Sequence, residues 1–494
     1  MRTVPLQNRR WLIAGIGLGV ILITGFWDFR LRLLSNKSAI PDPDYAGTEA
    51  PVMEKLTQLR KEVERDPKSA RHWGKLAMNL YVHDFQREAI PCFQQAATLD
   101  PKEFRWSYYC AFALSEAGSP EALVWYERSR ALNPNYTPGQ VRCGQALLAA
   151  GELEKAEVSF QTALNGQPKL PHAYLGAAKI ALERNDLPAA REYALKALTL
   201  APRFREARSI IAETYRRSHD MANAEHHMQL AEKLPAKMEM PDPVFTEMSA
   251  EGVSSFWRRM RASRHLAAGR YDQAVHELQL ALAVRPDAEA HNNLGMALQY
   301  QGEFSAAAEH YRQALVLNPG YVEALNNLSV ALFETGQIAE AIAQVEKAVQ
   351  LDSTLPDAYL NLGTFCKRAG RTAEARHAFQ QGMRHAPNDA RLAYQLAWLL
   401  ATASETEFRN GKAALQLAKT LCEKTANRSP GALDALAAAY AENRQFEAAV
   451  QTAQQAQQLA VAEGQRSLAN QIQARLQLYK SKTPYREVVQ RGER

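Results

Sequence analysis

A spacing of 34 residues recurs along this chain and constrains its fold more than any other feature. It is clearest at three asparagines, each followed by a leucine and a small residue: Asn293, Asn327 and Asn361. A glycine stands nine residues after each of them: Gly302, Gly336 and Gly370. A fixed period of this length is typical of a solenoid, in which each unit stacks on its neighbours. Such a fold offers an extended binding surface and does not by itself supply a catalytic pocket.

The pattern within each unit predicts a pair of closely crossing helices. Bulky residues recur at positions 4, 7 and 24, where they would fill the space between helices, and small residues recur at positions 8, 20 and 27, where the helices would touch. A glycine or asparagine ends the first helix, and a proline at position 32 stops the second. The unit that begins at residue 288 shows the pattern well: Leu294, Gly295, Gly302, Ala307, Tyr311, Ala314 and Pro319. We find no convincing period-two run of β-branched residues, so we expect an all-α chain.

This pattern resembles the tetratricopeptide repeat over about residues 70–235 and 255–463. The resemblance implies a right-handed α-solenoid of about eleven helix-turn-helix repeats, some of them degenerate. We predict six segments along the chain. They are a membrane anchor (1–37), a linker with a leading helix (38–69), a first block of five repeats (70–234), a proline-containing linker (235–254), a second block of six repeats (255–463), and a capping helix with a basic tail (464–494). The 235–254 linker is either a flexible hinge or an ordered clip packed on the solenoid.

The N-terminus predicts one transmembrane helix. Residues 11–27 are 17 uncharged, apolar or small residues that would span about 25 Å, the short end for a bilayer. Trp11 and Trp27 flank this stretch, as interfacial aromatics do. A cleaved signal peptide is the rival interpretation, but the bulky residues after the stretch do not form a small-residue cleavage site, so we favour an uncleaved anchor. Basic residues flank both sides, and the short N-terminal tail favours an inside N-terminus with the repeats on the periplasmic side.

The distribution of charge argues against nucleic acid as a partner. The chain carries a formal charge of +6, but its positive excess lies in residues 1–37 and 480–494. The repeats between them are therefore slightly acidic, and they lack the basic face that phosphate binding requires.

A narrower resemblance covers the C-terminal stretch. Residues 396–402, 409–411, 433–442 and 478–487 are similar to the terminal module of large bacterial tetratricopeptide proteins, many of which are attached to membranes. This resemblance implies a bacterial protein and a capping role for the module. The tenth repeat carries an insertion of about five residues, which falls within residues 402–411.

The asparagines at position 6 are the candidate binding residues. The resemblance places this position on the inner face of the solenoid, and a row of amides there could hydrogen-bond the backbone of an extended peptide. Repeat superhelices of O-GlcNAc transferases are similar in using asparagine in this way. The candidate peptide-binding residues are Asn293, Asn327 and Asn361, with Asn292, Asn326 and Gln395 beside them. The alternative is that these asparagines only tune solubility or helix packing.

Other chemistry is not indicated. A clamp for acidic chaperone tails would need lysine, asparagine and arginine at positions that here hold Gly74, Met78, Tyr108 and Arg142. No phosphate loop, Cys-x-x-Cys pair or His-Glu-x-x-His motif occurs. We therefore predict no catalytic residue, no metal, no cofactor and no small-molecule substrate. The five cysteines mostly stand at small or apolar repeat positions and are expected to be buried, and Trp73 and Trp106 stand at a core position.

The sequence thus predicts a membrane-tethered, non-enzymatic scaffold that binds a protein segment in its groove and acts in assembly of a complex. Two alternatives remain open at this point. One is a periplasmic assembly chaperone for envelope or exported proteins. The other is the peptide-binding subunit of a glycosyltransferase-like enzyme complex.

Overall fold

The chain folds as a series of α-helices. The computed structural model describes residues 39–236 and 238–487. Within these ranges there are 25 α-helices, one short 3-10 helix and no β-strand, so the predicted all-α class is confirmed. The chain divides into two compact units, one ending at Trp257 and the other beginning at Arg258.

The first unit contains a leading helix, five helix pairs and one short helix. The leading helix α1 is Ala50–Arg65. The helices of the pairs are α2 (Ala70–Val82), α3 (Gln86–Leu99), α4 (Phe104–Glu116), α5 (Ala122–Leu132), α6 (Thr137–Ala149), α7 (Leu153–Gly166), α8 (Pro171–Glu183), α9 (Leu187–Leu200), α10 (Arg205–Arg217) and α11 (Met221–Glu232). The short helix α12 is Pro243–Ala250.

The second unit contains six helix pairs and a final helix. Its helices are α13 (Ser255–Ala267, which begins just before the boundary), α14 (Tyr271–Val284), α15 (Ala288–Tyr300), α16 (Phe304–Leu317), α17 (Val322–Glu334), α18 (Ile338–Leu351), α19 (Pro356–Arg368), α20 (Thr372–His385), α21 (Ala390–Thr402), α22 (Gly411–Lys424), α23 (Pro430–Glu442), α24 (Phe446–Ala462) and α25 (Arg466–Lys480). The 3-10 helix Thr406–Phe408 lies in the insertion between α21 and α22.

The turn inside each pair explains the recurring glycine. Gly302 has a φ of +85°, a conformation that residues with a side chain rarely adopt. Its amide donates to the carbonyl of Gln299, and the amide of Glu303 donates to that of Leu298, which together form a Schellman motif. Other pairs place a non-glycine residue in a positive-φ turn: Asp84, Asn185, His219 and Arg444.

The small residue at position 8 is required by the aromatic residue at position 24. A Cβ atom added to Gly295 would lie 2.6 Å from the Tyr311 ring, and one added to Gly363 would lie 2.3 Å from the Phe379 ring. Both distances are far inside van der Waals contact, so each ring packs directly on the backbone of the facing helix. The predicted close crossing of helices at position 8 is confirmed.

The predicted core residues are also confirmed. Trp73 and Trp106 are buried, with 3% and 8% of their surface exposed. All five cysteines are buried free thiols: Cys92, Cys110, Cys143, Cys366 and Cys422. Burial raises the pKa of the Cys366 thiol to about 11, so this thiol stays protonated and behaves as a small apolar group.

The predicted membrane anchor, with its span at residues 11–27, lies outside the described residues, as do residues 488–494. Among the helices that the structure describes, none is both long enough and apolar enough to cross a bilayer.

Candidate protein-binding grooves

The predicted asparagine row links successive repeats to one another. The Asn327 side chain on α17 donates from Nδ2 to Asn292 Oδ1 on α15 at 3.0 Å. The Asn361 side chain on α19 repeats this bond one unit later, donating to Asn326 Oδ1 at 2.9 Å. The Asn at position 6 of one repeat therefore donates a hydrogen bond to the Asn at position 5 of the repeat before it, and we call this bond a clasp. This arrangement favours the packing role that the sequence left open.

The row of clasps is limited at each end by the residue that stands at position 5 of the preceding repeat. Position 5 of the unit before Asn293 is Arg259, which pairs with Glu289 instead. Position 5 of the unit before Gln395 is Leu360, which has no acceptor. Within the described residues, the side chains of Asn293 and Gln395 make no hydrogen bond, and each clasping Asn retains one N–H and its own oxygen.

A cavity of about 510 Å³ lies on the second unit where three repeats meet, and we call it the second-unit groove. Its lining residues come from α19, α21, the end of α22 and its turn, and the start of α23: Leu360, Asn361, Thr364, Ala390, Arg391, Tyr394, Gln395, Leu421, Thr425, Ser429, Gly431 and Ala432. Of the predicted binding residues, the structure places Asn361 and Gln395 here. Asn292, Asn293, Asn326 and Asn327 do not line it.

The lining of the groove combines amides with an aromatic ring and a cation. Burial, more than the nearby charge of Asp434, raises the pKa of Tyr394 to about 12, so its hydroxyl stays neutral and can donate or accept. Arg391 donates to Asp389 and pairs with Asp357, with both contacts at 2.7 Å. This guanidinium is therefore paired with two carboxylates, which offset its charge.

The chain's own C-terminal tail lies against α19 and α21, which are the first helices of two successive pairs. The amide of Glu487 donates to the carbonyl of Thr402 at 2.8 Å. The Glu487 carboxylate accepts from Trp398 Nε1 at 3.1 Å and from Lys367 Nζ at 3.3 Å. Residues 483–487 have no regular secondary structure, and they contact this face through one main-chain amide and one acidic side chain.

A buried ion pair holds the final helix beneath the tail. Arg475 on α25 donates to both carboxylate oxygens of Asp434 on α23, at 3.1 and 2.6 Å. Burial raises the pKa of Asp434, and the adjacent guanidinium opposes that rise. Arg409 and Arg486 both pair with Glu442, at 3.0 and 2.6 Å. The separated stretches of the C-terminal module thus meet in one network. Arg475 belongs to this network and was not predicted from the sequence.

The described part of the 235–254 linker, from residue 238 onward, packs on the first unit as a clip, so the structure favours the clip over the flexible hinge. Its prolines do not continue α11, as expected, but the segment contains the helix α12, which the sequence analysis missed. Asp242 caps this helix by accepting from the amide of Phe245 at 3.0 Å, and Pro243 occupies its first turn. An aspartate followed by proline is a recognised start signal, so the sequence did contain the information.

Comparison with known proteins was made at two levels. Models of the tetratricopeptide repeat match residues 143–203, 259–298, 293–356 and 336–399. No curated protein sequence matches the chain.

Several solved structures are similar at low sequence identity. The APC/C hetero-tetramer Cut9–Hcn1 is 15% identical, with a TM-score of 0.30, and the match covers 70% of this chain and 66% of that one. The P58(IPK) TPR domain is 17% identical, with a TM-score of 0.23, and the match covers 83% and 99%. MamA 41-end from Desulfovibrio magneticus RS-1 is 19% identical, with a TM-score of 0.32, and the match covers 33% and 94%.

The 34-residue pattern, the eleven helix pairs among the described residues and the family matches agree with one another. Arrays of this kind act as scaffolds for protein–protein interaction and are typically not enzymes. The chain contains tetratricopeptide repeats, which the family models match over residues 143–203 and 259–399.

Proposed function

We propose that this protein is a membrane-tethered, non-enzymatic scaffold that holds a segment of a partner protein in its second-unit groove. The observation that carries the proposal is the placement of Asn361 and Gln395, one repeat apart, in the lining of a single open cavity. Both side chains offer donors and an acceptor, which suits the backbone of a peptide whatever its side chains.

The size of the groove fits a short stretch of peptide. A cavity of about 510 Å³ holds a few residues, not a folded domain. Each hydrogen bond to a peptide contributes only about 1 kcal/mol, so two amides alone bind weakly. Tyr394 adds an aromatic surface to the same lining, and the unused amide groups of Asn293 and Asn327 extend the row for a longer segment.

The tether rests on residues 11–27 and on the basic residues that flank them. With the N-terminus inside, the repeats would lie on the periplasmic side and recruit proteins at the membrane surface for assembly of a complex. A reporter fused after Arg494 tests this orientation. Activity of a periplasm-specific reporter supports it, and activity of a cytoplasm-specific reporter refutes it.

Paired substitutions in the full chain test the groove. Asn361→Ala with Gln395→Ala removes both lining amides and also breaks the Asn361–Asn326 clasp. The matched control, Asn326→Ala, breaks the same clasp and leaves the lining intact. Loss of two hydrogen bonds at about 1 kcal/mol each should weaken partner binding roughly thirtyfold.

The readout is quantitative crosslinking and recovery from native membranes, with far-ultraviolet circular dichroism as the check on folding. Recovery of a defined partner should fall with the lining variant and persist with the control. If both variants recover the partner as well as the unaltered chain does, the second-unit groove is not the binding site.

A further inference from the structure

The inner face of the first unit is covered by the chain itself. Residues 238–257, which we call the clip, run across the first helices of four successive pairs. The contacts from one end to the other join Met238 with His172, Asp242 with Arg142, Val244 with Tyr109, Val253 with His83 and Trp257 with Val82. In a repeat array this face is ordinarily the surface offered to partners, and here it holds a peptide already.

The clip is anchored by one buried carboxylate. Asp242 is 5% exposed, and its Oδ2 accepts from the Tyr108 hydroxyl and from Arg142 Nε at 3.3 Å. Its Oδ1 accepts from the Tyr136 hydroxyl as well as from the capped amide of Phe245. Arg142 is itself held in place, because it donates to Tyr108 at 2.8 Å and lies over the Phe112 ring at 4.3 Å. Two phenols and a guanidinium thus form a binding site for a carboxylate.

The rest of the clip follows the pattern of an acidic amphipathic helix. Val244 and Met248 are four residues apart and buried, and Phe245 packs against Phe112 with ring centroids 5.1 Å apart. Two further acids face groups on the repeats. Glu247 takes two 3.0 Å bonds from Arg105, and Glu251 accepts from Asn79 at 3.1 Å. Lys55 on the leading helix α1 lies 4.0 Å from the same Glu251, so basic groups of the first unit lie opposite the acids of the clip at three places.

We propose that this face is a docking surface for an acidic, amphipathic segment of a partner protein, and that the clip is a resident competitor for it. The partner segment has an aspartate at a helix start, apolar residues two, three and six positions later, and acids five and nine positions later. This proposal is independent of the second-unit groove, because it concerns a different face with a different chemistry.

The reduction in apparent affinity caused by a tethered competitor can be calculated. A segment joined by a short linker acts at an effective concentration of about 1 mM. If the free segment has an intrinsic dissociation constant of about 1 µM, the closed form lowers its apparent affinity roughly a thousandfold. The partner therefore docks only when it is locally abundant or when the clip is weakened.

The experiment uses a fluorescent peptide with the sequence of residues 238–253 and the full chain in detergent. Asp242→Ala with Phe245→Ala in the chain removes the two main anchors of the clip and leaves the face unaltered. We expect fluorescence anisotropy to show micromolar binding of the peptide to this opened variant and roughly thousandfold weaker binding to the unaltered chain. Adding Arg142→Ala to the opened variant should abolish binding.

The matched control varies the peptide and not the protein. A peptide with Asp242→Asn keeps the shape of the anchor and loses its charge, so it should bind the opened variant at least tenfold more weakly. If the opened variant unfolds by circular dichroism, Glu247→Lys with Glu251→Lys replaces it, because that pair reverses only the exposed charge opposite Arg105 and the partly exposed charge opposite Lys55.

Each remaining outcome contradicts the proposal. A folded, opened chain that fails to bind the peptide shows that the face does not act in trans. Equal binding of the aspartate and asparagine peptides shows that the carboxylate of the peptide does not contribute to affinity. A stable dimer of the unaltered chain formed by clip exchange makes the occupant a second copy. Unfolding of both variants makes the clip a structural element only.

Discussion

Asn327 on one repeat donates a hydrogen bond to Asn292 on the repeat before it, with 3.0 Å between Nδ2 and Oδ1. These two residues are 35 positions apart, one more than the repeat period, so the bond uses adjacent positions of successive units. The same geometry recurs between Asn361 and Asn326. An amide row that looked like a ligand-binding ladder is therefore also a series of inter-repeat bonds, and binding is left to the amide groups that the clasps do not use.

The clasp should contribute measurably to stability. Asn327→Ala and Asn292→Ala should each lower the free energy of unfolding by about 0.5–1.5 kcal/mol, because each removes the partner of an amide that is buried at Asn292 and partly buried at Asn327. A double-mutant cycle in urea denaturation should give a coupling free energy of about 1 kcal/mol between them. Asn293→Ala is the control, since its side chain has no clasp, and it should cost less than about 0.5 kcal/mol. A coupling free energy of zero would show that the bond adds no stability.

The contact between Gly363 and Phe379 should not tolerate a side chain. Gly363→Ala places a Cβ atom about where the ring lies and should lower the free energy of unfolding by about 1–3 kcal/mol. Replacing Phe379 with leucine in the same chain should restore part of that loss. Gly320→Ala serves as control, since its nearest neighbour would be an Asn318 oxygen 3.8 Å away. An unchanged melting temperature for Gly363→Ala would contradict the packing described.

The Asp434–Arg475 pair should be costly to break from one side. Arg475→Ala leaves a buried carboxylate without its partner and should lower the free energy of unfolding by about 3–5 kcal/mol. Replacing both residues with apolar ones, Asp434→Leu with Arg475→Met, should cost less than the sum of the two single substitutions. Guanidinium denaturation gives both quantities. Additive effects of the two changes would mean that the pair is not coupled.

Two histidines in the second unit should make its stability depend on pH. His291 and His310 lie on α15 and α16 with their Nδ1 atoms 3.2 Å apart, and burial lowers the pKa of both below the ordinary 6.5, helped at His310 by the charge of His291. The folded state therefore binds protons less readily than the unfolded state. Stability is fully present above about pH 6.5 and falls as the pH drops below it.

Thermal melts at about pH 7.5 and about pH 5 measure this effect. His310→Gln removes one titrating group and should flatten the dependence of the melting temperature on pH. The exposed His377→Gln is the matched control for loss of one histidine and should leave the slope unchanged. If His310→Gln and His377→Gln give the same slope, the histidine pair is not the source of the pH dependence.

Much of the fold was predictable because the information is local. The turn at Gly302, the packing of Tyr311 on Gly295 and the burial of Trp73 each follow from a pattern that repeats within 34 residues. Helix α12 was not predicted, although Asp242 and Pro243 form a start signal, because the prolines of this linker equally fit a break after α11. Of the six candidate side chains, two line the second-unit groove, and their role in binding stays a prediction.

The sequence by itself determined the helical class, the repeat period and the positions where helices touch, because each depends on residues that are near one another in the chain. Only the tertiary structure decided how those repeats are used. Tyr108 meets Asp242 across 134 positions, and Trp398 meets Glu487 across 89. No periodic pattern encodes such pairings, because they arise where a non-repeating segment folds back and finds a complementary charge and shape on the array.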